Sequence, residues 1–373
     1  MLYLDNAATT ARKPLGVYAS LLKNTLWGSG NAGRGGHKKS AAAVRAIVDT
    51  QDLIARLFNI TEPQNIIFTQ NATHALNTAI LGSVTDGGHI VVTSMEHNSV
   101  LRPTHFLGNF SVVWADEYGR VNPDDVEAAI QDDTRLIVCT HASNVCGTLE
   151  PVNRIGKIAQ KHGIPFLVDT AQTAGCVPID AQEMNADFIA FSGHKGLMGP
   201  LGTGGLYIKN PDSLRPLVTG GTGSLSESLI QPDIMPDKFH SGTVNAPAIA
   251  ALGSGIRYIL KRSVTDIAAY EGHLAHTLRD NLMNMDGVTV YGDGRGIAIV
   301  AFNIDGMDSD DVFALIGDRF AVRSGYHCAP LSHHTLGTQK TGAVRVSFGI
   351  YNNVSDVRSI TDEIYKICRK IKG

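Results

Sequence analysis

Along the first two-thirds of the chain, short apolar runs rich in β-branched residues alternate with longer stretches whose apolar positions recur at helical spacing. The runs at 66–69, 90–94, 111–114, 136–140, 166–169, 188–191 and 205–208 predict strands. Helical patterns at 72–81, 123–130 and 153–161 lie between them. This alternation predicts an α/β domain with a doubly wound, mostly parallel sheet. From about residue 247 the texture changes. Two long helical patterns, 248–260 and 265–285, lead to strands at 288–291 and 298–303. A helix at 309–316 with Ser309 as its N-cap, a strand at 344–348 and a last helix at 354–371 follow. The expected division is a large domain over 15–255 and a smaller α+β domain built from 1–14 and 256–373. Nothing between them reads as a repeat, a low-complexity tract or a flexible linker, so rigid packing is expected.

Composition narrows the function classes. At 373 residues the chain exceeds one ordinary core, which agrees with two domains. Hydrophobic residues make up 43% and charged residues 18%, with a net charge of −3. No basic excess or stripe marks a nucleic-acid partner. The longest apolar runs, such as 297–302, fall far short of the ~20 residues of a membrane span. The opening Met-Leu-Tyr-Leu-Asp has no basic region before an apolar stretch, and a cytoplasmic location is the expectation. Five cysteines argue against a disulfide framework. Glycine is in excess, 39 residues, which predicts tight turns and close backbone approaches.

Polar clusters sit just past the ends of the predicted strands: Asn71-Ala72-Thr73, His97, Ser143-Asn144, Asp169-Thr170-Ala171-Gln172 and Ser192-Gly193-His194-Lys195. In open α/β sheets, ligands bind in the crevice outside those strand ends. Lys195, among glycines and small residues, can condense with an aldehyde if partial burial lowers its pKa. Asp169 ends a buried apolar strand and needs a cationic partner, such as a protonated pyridine nitrogen. Thr73 opens a helix whose free N–H groups can hold a phosphate, and His97 can lie flat over a ring.

These residues resemble the cysteine desulfurases, a group of pyridoxal-phosphate (PLP) enzymes in the class V branch of the fold-type I aminotransferases. The resemblance runs nearly end to end. It is carried by Tyr3-Leu4-Asp5-Asn6-Ala7-Ala8, Asn71-Ala72-Thr73, Glu96-His97-Asn98-Ser99, Ser143-Asn144, Val168-Asp169-Thr170-Ala171-Gln172 and Ser192-Gly193-His194-Lys195. It closes with Ser241-Gly242-Thr243, Arg323-Ser324-Gly325-Tyr326-His327-Cys328 and Val344-Arg345-Val346-Ser347. The last loop resembles the branch with a short, ordered cysteine loop. After Lys195 the chain is one residue longer than the family's commoner pattern.

The resemblance implies a role for each position. Lys195 holds the cofactor and moves the Cα proton; Asp169 pairs with the pyridine nitrogen; Gln172 bonds the phenolic oxygen; His97 stacks on the ring and assists proton transfer. Ala72, Thr73, Ser192 and His194 hold the phosphate, with Thr243 reaching it from the neighbouring subunit of a homodimer. Asn144 and Arg345 fix the substrate carboxylate, and Ala7 lies at the substrate. Cys328 takes the sulfur of L-cysteine as a persulfide for an acceptor protein. His327 or the cofactor's cationic groups are expected to lower the Cys328 pKa. Selenocysteine lyase, cysteine sulfinate desulfinase and class V aminotransferase are the alternative activities; a PLP-binding scaffold without turnover would not need Lys195, Asp169 and Cys328 together.

Blander readings apply elsewhere. Cys139 and Cys368 read as small core hydrophobes, while Cys146 and Cys176 lie near the expected site without a matching role. His327, Cys328, His333 and His334 do not have zinc-site spacing, and no metal is expected. Gly28-Ser29-Gly30-Asn31-Ala32-Gly33 matches a dinucleotide fingerprint, but a helix-like stretch precedes it instead of a strand. Arg34 and His37 are weak candidates for the substrate entrance.

Overall fold

The computed structural model describes residues 1–28, 30–33 and 35–372. Ser29 and Arg34, named above, lie outside the described residues. In chain order the elements are β1 (Leu2–Tyr3), α1 (Leu15–Trp27), α2 (Lys38–Phe58), β2 (Ile66–Thr69), α3 (Ala72–Ser83), β3 (His89–Thr93) and α4 (Asn98–Leu107). They continue as β4 (Phe110–Val113), α5 (Pro123–Ala128), β5 (Thr134–Thr140), α6 (Val152–His162), β6 (Phe166–Asp169), β7 (Phe188–Ser192) and β8 (Gly204–Ile208). The last part holds α7 (Ala246–Arg262), α8 (Val264–Met283), β9 (Val288–Tyr291), β10 (Ile299–Ile304) and α9 (Ser309–Ile316). It ends with β11 (Phe320–Ala321), α10 (Pro330–Thr335), β12 (Val344–Ser347) and α11 (Val354–Lys372).

The seven-stranded sheet has the order β2-β8-β7-β6-β5-β3-β4. Its strands bury both faces by alternation. On one face Val91, Ile137, Cys139, Phe166, Val168, Ile189 and Phe191 join a core with Ile54 and Phe58 of α2. On the other, Ile90, Val92, Leu136, Val138, Leu167 and Ala190 meet Ala75, Leu76 and Ile80 of α3. β2 pairs antiparallel with β8, and β8 antiparallel with β7, while the remaining pairs are parallel. Two reversals cancel, so β2 points the same way as β7, and only β8 opposes the rest of this sheet. The C-terminal ends of β2, β3, β5, β6 and β7 therefore share one rim, as the mostly parallel expectation required.

The second unit is an antiparallel sheet of order β12-β10-β9. Phe302, Val344 and Val346 pack there with Leu274 and Leu278 of α8, Val312 of α9 and Ile360 and Ile364 of α11. Leu4 belongs to the same core, because β1 pairs parallel with β11. The expected domain division at residue 255 falls inside α7, whose Ile256 and Ile259 still pack with the first core. Ser309 is not the N-cap of α9: Asp308 holds that place, and the Ser309 hydroxyl instead accepts from Gly325 N at 3.1 Å. Among the described residues, no helix is long and apolar enough to cross a membrane.

Candidate active site

One cavity at the shared rim is lined by Ala72, Thr73, His97, Asn144, Asp169, Gln172, Ser192, His194 and Lys195, together with Asn71, Ser99, Thr140 and Ala171. Five elements converge to make it: the N-termini of α3 and α4 and the ends of β5, β6 and β7. The helix α3 lies across the sheet against β5 to β8, which carries its N-terminus from the edge strand β2 over the middle of the sheet. A side chain at Gly204 would press within 2.7 Å of the Asn71 backbone, so glycine is what lets this cap sit so close to β8. Asn71 caps α3 by accepting from His74 N at 2.9 Å. The N–H groups of Ala72 and Thr73, in the first turn, have no helical carbonyl to bond.

Asp169 ends β6 almost fully buried, and its Oδ1 accepts from Ala171 N at 2.8 Å. Burial raises its pKa above the ordinary carboxylate value, while Ala171 N–H and Lys195 pull it back. Lys195 follows β7 in a turn, open to the cavity but surrounded by protein. Burial lowers its pKa to about 8, against the opposing pull of Asp169. The two groups form a coupled pair of opposite charge at the mouth of adjacent strands.

His97 caps α4, its Nδ1 accepting from Ser99 N at 3.0 Å. A backbone amide can only donate, so the neutral ring carries its proton on Nε2. Burial, then Lys195 and the nearby arginines, lowers the His97 pKa to about 4. His194 falls to about 4 through burial and then Lys195 and Lys13. Both rings are thus neutral near pH 7. The Ser99 hydroxyl bridges Thr73 Oγ1 at 2.7 Å and His97 Nδ1 at 2.9 Å.

Cys328 lies in a turn in which His327 and Cys328 both have left-handed backbones, φ 50° and 59°. Its thiol is exposed. The loop is pinned from both sides: Asn98 N donates to Cys328 O at 2.7 Å, and Asn144 Nδ2 to His327 O at 2.7 Å. Of the two sources of positive charge expected near Cys328, His327 and the cofactor's cationic groups, His327 does not carry one. Burial, and then Arg345 and His333, push the His327 pKa down to about 2, so the ring is neutral. Its Nδ1 meets His333 Nε2 at 3.4 Å, and the two rings stack.

Arg345 is 2% exposed, with Nη1 donating to Asn144 O and Nη2 to Asp5 Oδ1, both at 2.8 Å. Ala7 donates to Ser347 Oγ at 2.9 Å and accepts from Gln172 Nε2 at 3.2 Å. It lines an adjoining cavity that shares Gln172 and Lys195 and also holds Cys176 and Glu271. Thr243 is not brought to the cofactor cavity within this chain; it is exposed and meets Asn31 Nδ2 at 3.4 Å. His37 caps α2, accepting from Ser40 N, and does not line either cavity. Cys139 and Cys368 are buried, as expected, and Cys146 is buried as well.

Three polar neighbours escaped the sequence reading. Ser99 sits two residues past His97 and was visible only as motif context. Lys13 is buried and donates to His194 O at 2.6 Å. Asp5 holds Arg345 from across 340 residues. No local signal ties Lys13 to the site, and Asp5, like Ser99, was visible only as motif context, since their partners are set by the fold.

The cavity fits PLP on its own chemistry. It offers a buried carboxylate for a cation, an amine of lowered pKa, two unbonded first-turn N–H groups for an anion, and neutral imidazole between them. The sequence profile of the family described as "Aminotransferase class-V" matches residues 2–360. The chain is 34% identical to a probable cysteine desulfurase of Methanothermobacter thermautotrophicus, over 98% of this chain and 94% of that protein. It is 30% identical to a cysteine desulfurase of Escherichia coli O157:H7, over 98% and 93% respectively. Its fold is similar to the apo structure of a cysteine desulfurase from Thermococcus onnurineus NA1, with a TM-score of 0.91, 32% identity and coverage of 99% and 95%.

Proposed function

The chain belongs to the class V aminotransferase family, and from that premise we propose that it is a PLP-dependent cysteine desulfurase that converts L-cysteine to L-alanine and holds the sulfur on Cys328. The observation that carries this reading is the convergence of Lys195, Asp169, Gln172, His97 and the α3 N-terminus on one cavity, with the exposed Cys328 turn pinned beside it through Asn144 and Asn98.

When bound, PLP supplies an electron sink for charge developing at the substrate Cα. Asp169 keeps its pyridine nitrogen protonated, and Gln172 donates to the ring oxygen. Ala72, Thr73, Ser192 and His194 hold the phosphate, joined by Thr243 of a second copy in a homodimer. Lys195 would anchor the cofactor, and its amine, whose pKa burial lowers to about 8, would take and return the Cα proton. Asn144 and Arg345 hold the substrate carboxylate. The Cys328 thiolate attacks the substrate sulfur: an S–S bond forms, the C–S bond breaks, and its electron pair is protonated to give alanine. The persulfide is then passed to an acceptor protein, as in assembly of iron–sulfur clusters or other sulfur-containing cofactors. The large domain over 15–255 carries the cofactor, and the remainder carries the cysteine loop.

The test is one anaerobic turnover with L-cysteine, with mass analysis of the Cys328 peptide and assay of alanine. One added sulfur with an equal amount of alanine is expected. Activity on selenocysteine or cysteine sulfinate that survives Cys328→Ser, without added sulfur from L-cysteine, would overturn the reading in favour of a lyase or desulfinase.

A further inference from the structure

Asp5 has no part in the roles above, yet it ties together three segments: the one after β1, β12 and the start of the Cys328 loop. It follows β1, and its side chain is 14% exposed. Oδ1 accepts from Arg345 Nη2 at 2.8 Å, and Oδ2 faces Arg323 Nε at 3.5 Å. The two arginines also pair through their backbones: Arg345 N donates to Arg323 O at 2.7 Å and Arg323 N to Arg345 O at 3.2 Å. Arg323 begins the loop that ends at Cys328.

The Arg345 guanidinium is planar and nearly fully buried. With Nη2 on Asp5 and Nη1 on Asn144 O, its plane is fixed at two points, and so is the direction of its Nε–H. That Nε is buried and has no partner among the described residues. A buried guanidinium donor left unpaired is costly, and a fork held this rigidly is suited to a planar acceptor such as a carboxylate. Burial also disfavours the Arg345 charge, and Asp5 is the first group opposing that effect.

We propose that Asp5 is a positioning residue for substrate recognition: it orients the guanidinium of Arg345, with its unpartnered Nε–H, for the carboxylate of the incoming amino acid and, through Arg323, ties that orientation to the base of the Cys328 loop. The proposal rests on the desulfurase reading. It treats Asp5 as acting through Arg345, without touching substrate.

The test uses holoenzyme carrying Cys328→Ser, which binds substrate without taking its sulfur. L-cysteine and cysteamine, which lacks only the carboxylate, are titrated separately while the cofactor absorbance is followed. Adding Asp5→Ala is expected to weaken L-cysteine by about tenfold or more and cysteamine by less than about twofold. Asp5→Asn, which keeps an oxygen acceptor but no charge, should fall between. Equal weakening of both ligands would make Asp5 a general structural support and overturn the proposal, as would no change in either. If Asp5→Ala does not fold or take up cofactor, the near-isosteric Asp5→Asn decides by the same ratio. A Cys328→Ser parent that does not respond to L-cysteine at all would instead bring down the desulfurase reading beneath it.

Discussion

An apoprotein stripped of cofactor should take PLP back with a pH dependence set by Lys195. Only the neutral amine is nucleophilic. Burial lowers the Lys195 pKa to about 8 from 10.5, so about a tenth of it is neutral at pH 7. An ordinary lysine would be neutral to only about 0.03%, so the pocket makes the amine about 300-fold more available. Covalent uptake, followed by absorbance with cofactor in excess, should rise about tenfold per pH unit and flatten near pH 8. Dividing by the rate for a free lysine derivative, after that rate is corrected for the derivative's own neutral fraction, removes the cofactor's own titration. Asp169 is the main group raising this pKa, so Asp169→Asn should move the plateau to lower pH. A wild-type rate that keeps climbing past pH 9, or an upward shift in Asp169→Asn, would refute the reasoning.

Two further outcomes follow from burial and packing. Glu96 is fully buried, and its pKa is raised to about 8 from 4.5, chiefly by burial; Oε1 accepts from Thr93 and Thr140, while Oε2 has no partner. A raised acid keeps a proton in the native state that the unfolded chain releases, so its contribution is most favourable below pH 4.5 and is lost as pH rises to about 8. That span of about 3.5 pH units at about 1.4 kcal/mol each sets a ceiling near 5 kcal/mol. Glu96→Gln should therefore match wild type in unfolding experiments near pH 5 and exceed it at pH 8.5; parallel curves would sink the idea. Gly156→Ala in α6 would place a Cβ 1.8 Å from Met184 O. Despite alanine's better helix propensity, a loss of about 2–4 kcal/mol is expected from the displaced backbone, read as a lower unfolding midpoint; an unchanged midpoint would contradict the packing.

Much of the fold was legible because strands buried on both faces leave continuous apolar runs, as at 166–169 and 188–191. The strand ends then placed Asp169 and Ser192 on one rim before any coordinates were needed. What stayed hidden was made by distant partners. β1 and β11 are strands of two residues each, stabilised by one another across the length of the chain. The helix α4 carries Pro103 in its interior and escaped the periodic reading. In α1 only Val17 is fully buried, while Leu15, Leu22, Leu26 and Trp27 are exposed, so its apolar face does not report a core. The positive charge expected of His327 failed for a related reason: sequence shows a histidine beside a cysteine, but its charge depends on burial and on Arg345, which lies in β12.

The first ten residues are held by some of the last. Besides β1 on β11, Ala7 leans on Ser347, Asp5 on Arg345, and Asn6 on Asn352. During synthesis residues 1–10 emerge long before these partners and have to wait unpaired, while the seven-stranded sheet is complete by residue 208. The cofactor cavity, lined between Asn71 and Lys195, can thus take shape on a growing chain well before the clasp around Arg345 closes. Stopping translation before residue 344 would leave the sheet and the cavity at its rim without Arg345, the residue proposed above to hold the substrate carboxylate. Under the roles proposed above, assembly in that order completes substrate recognition after the cofactor cavity.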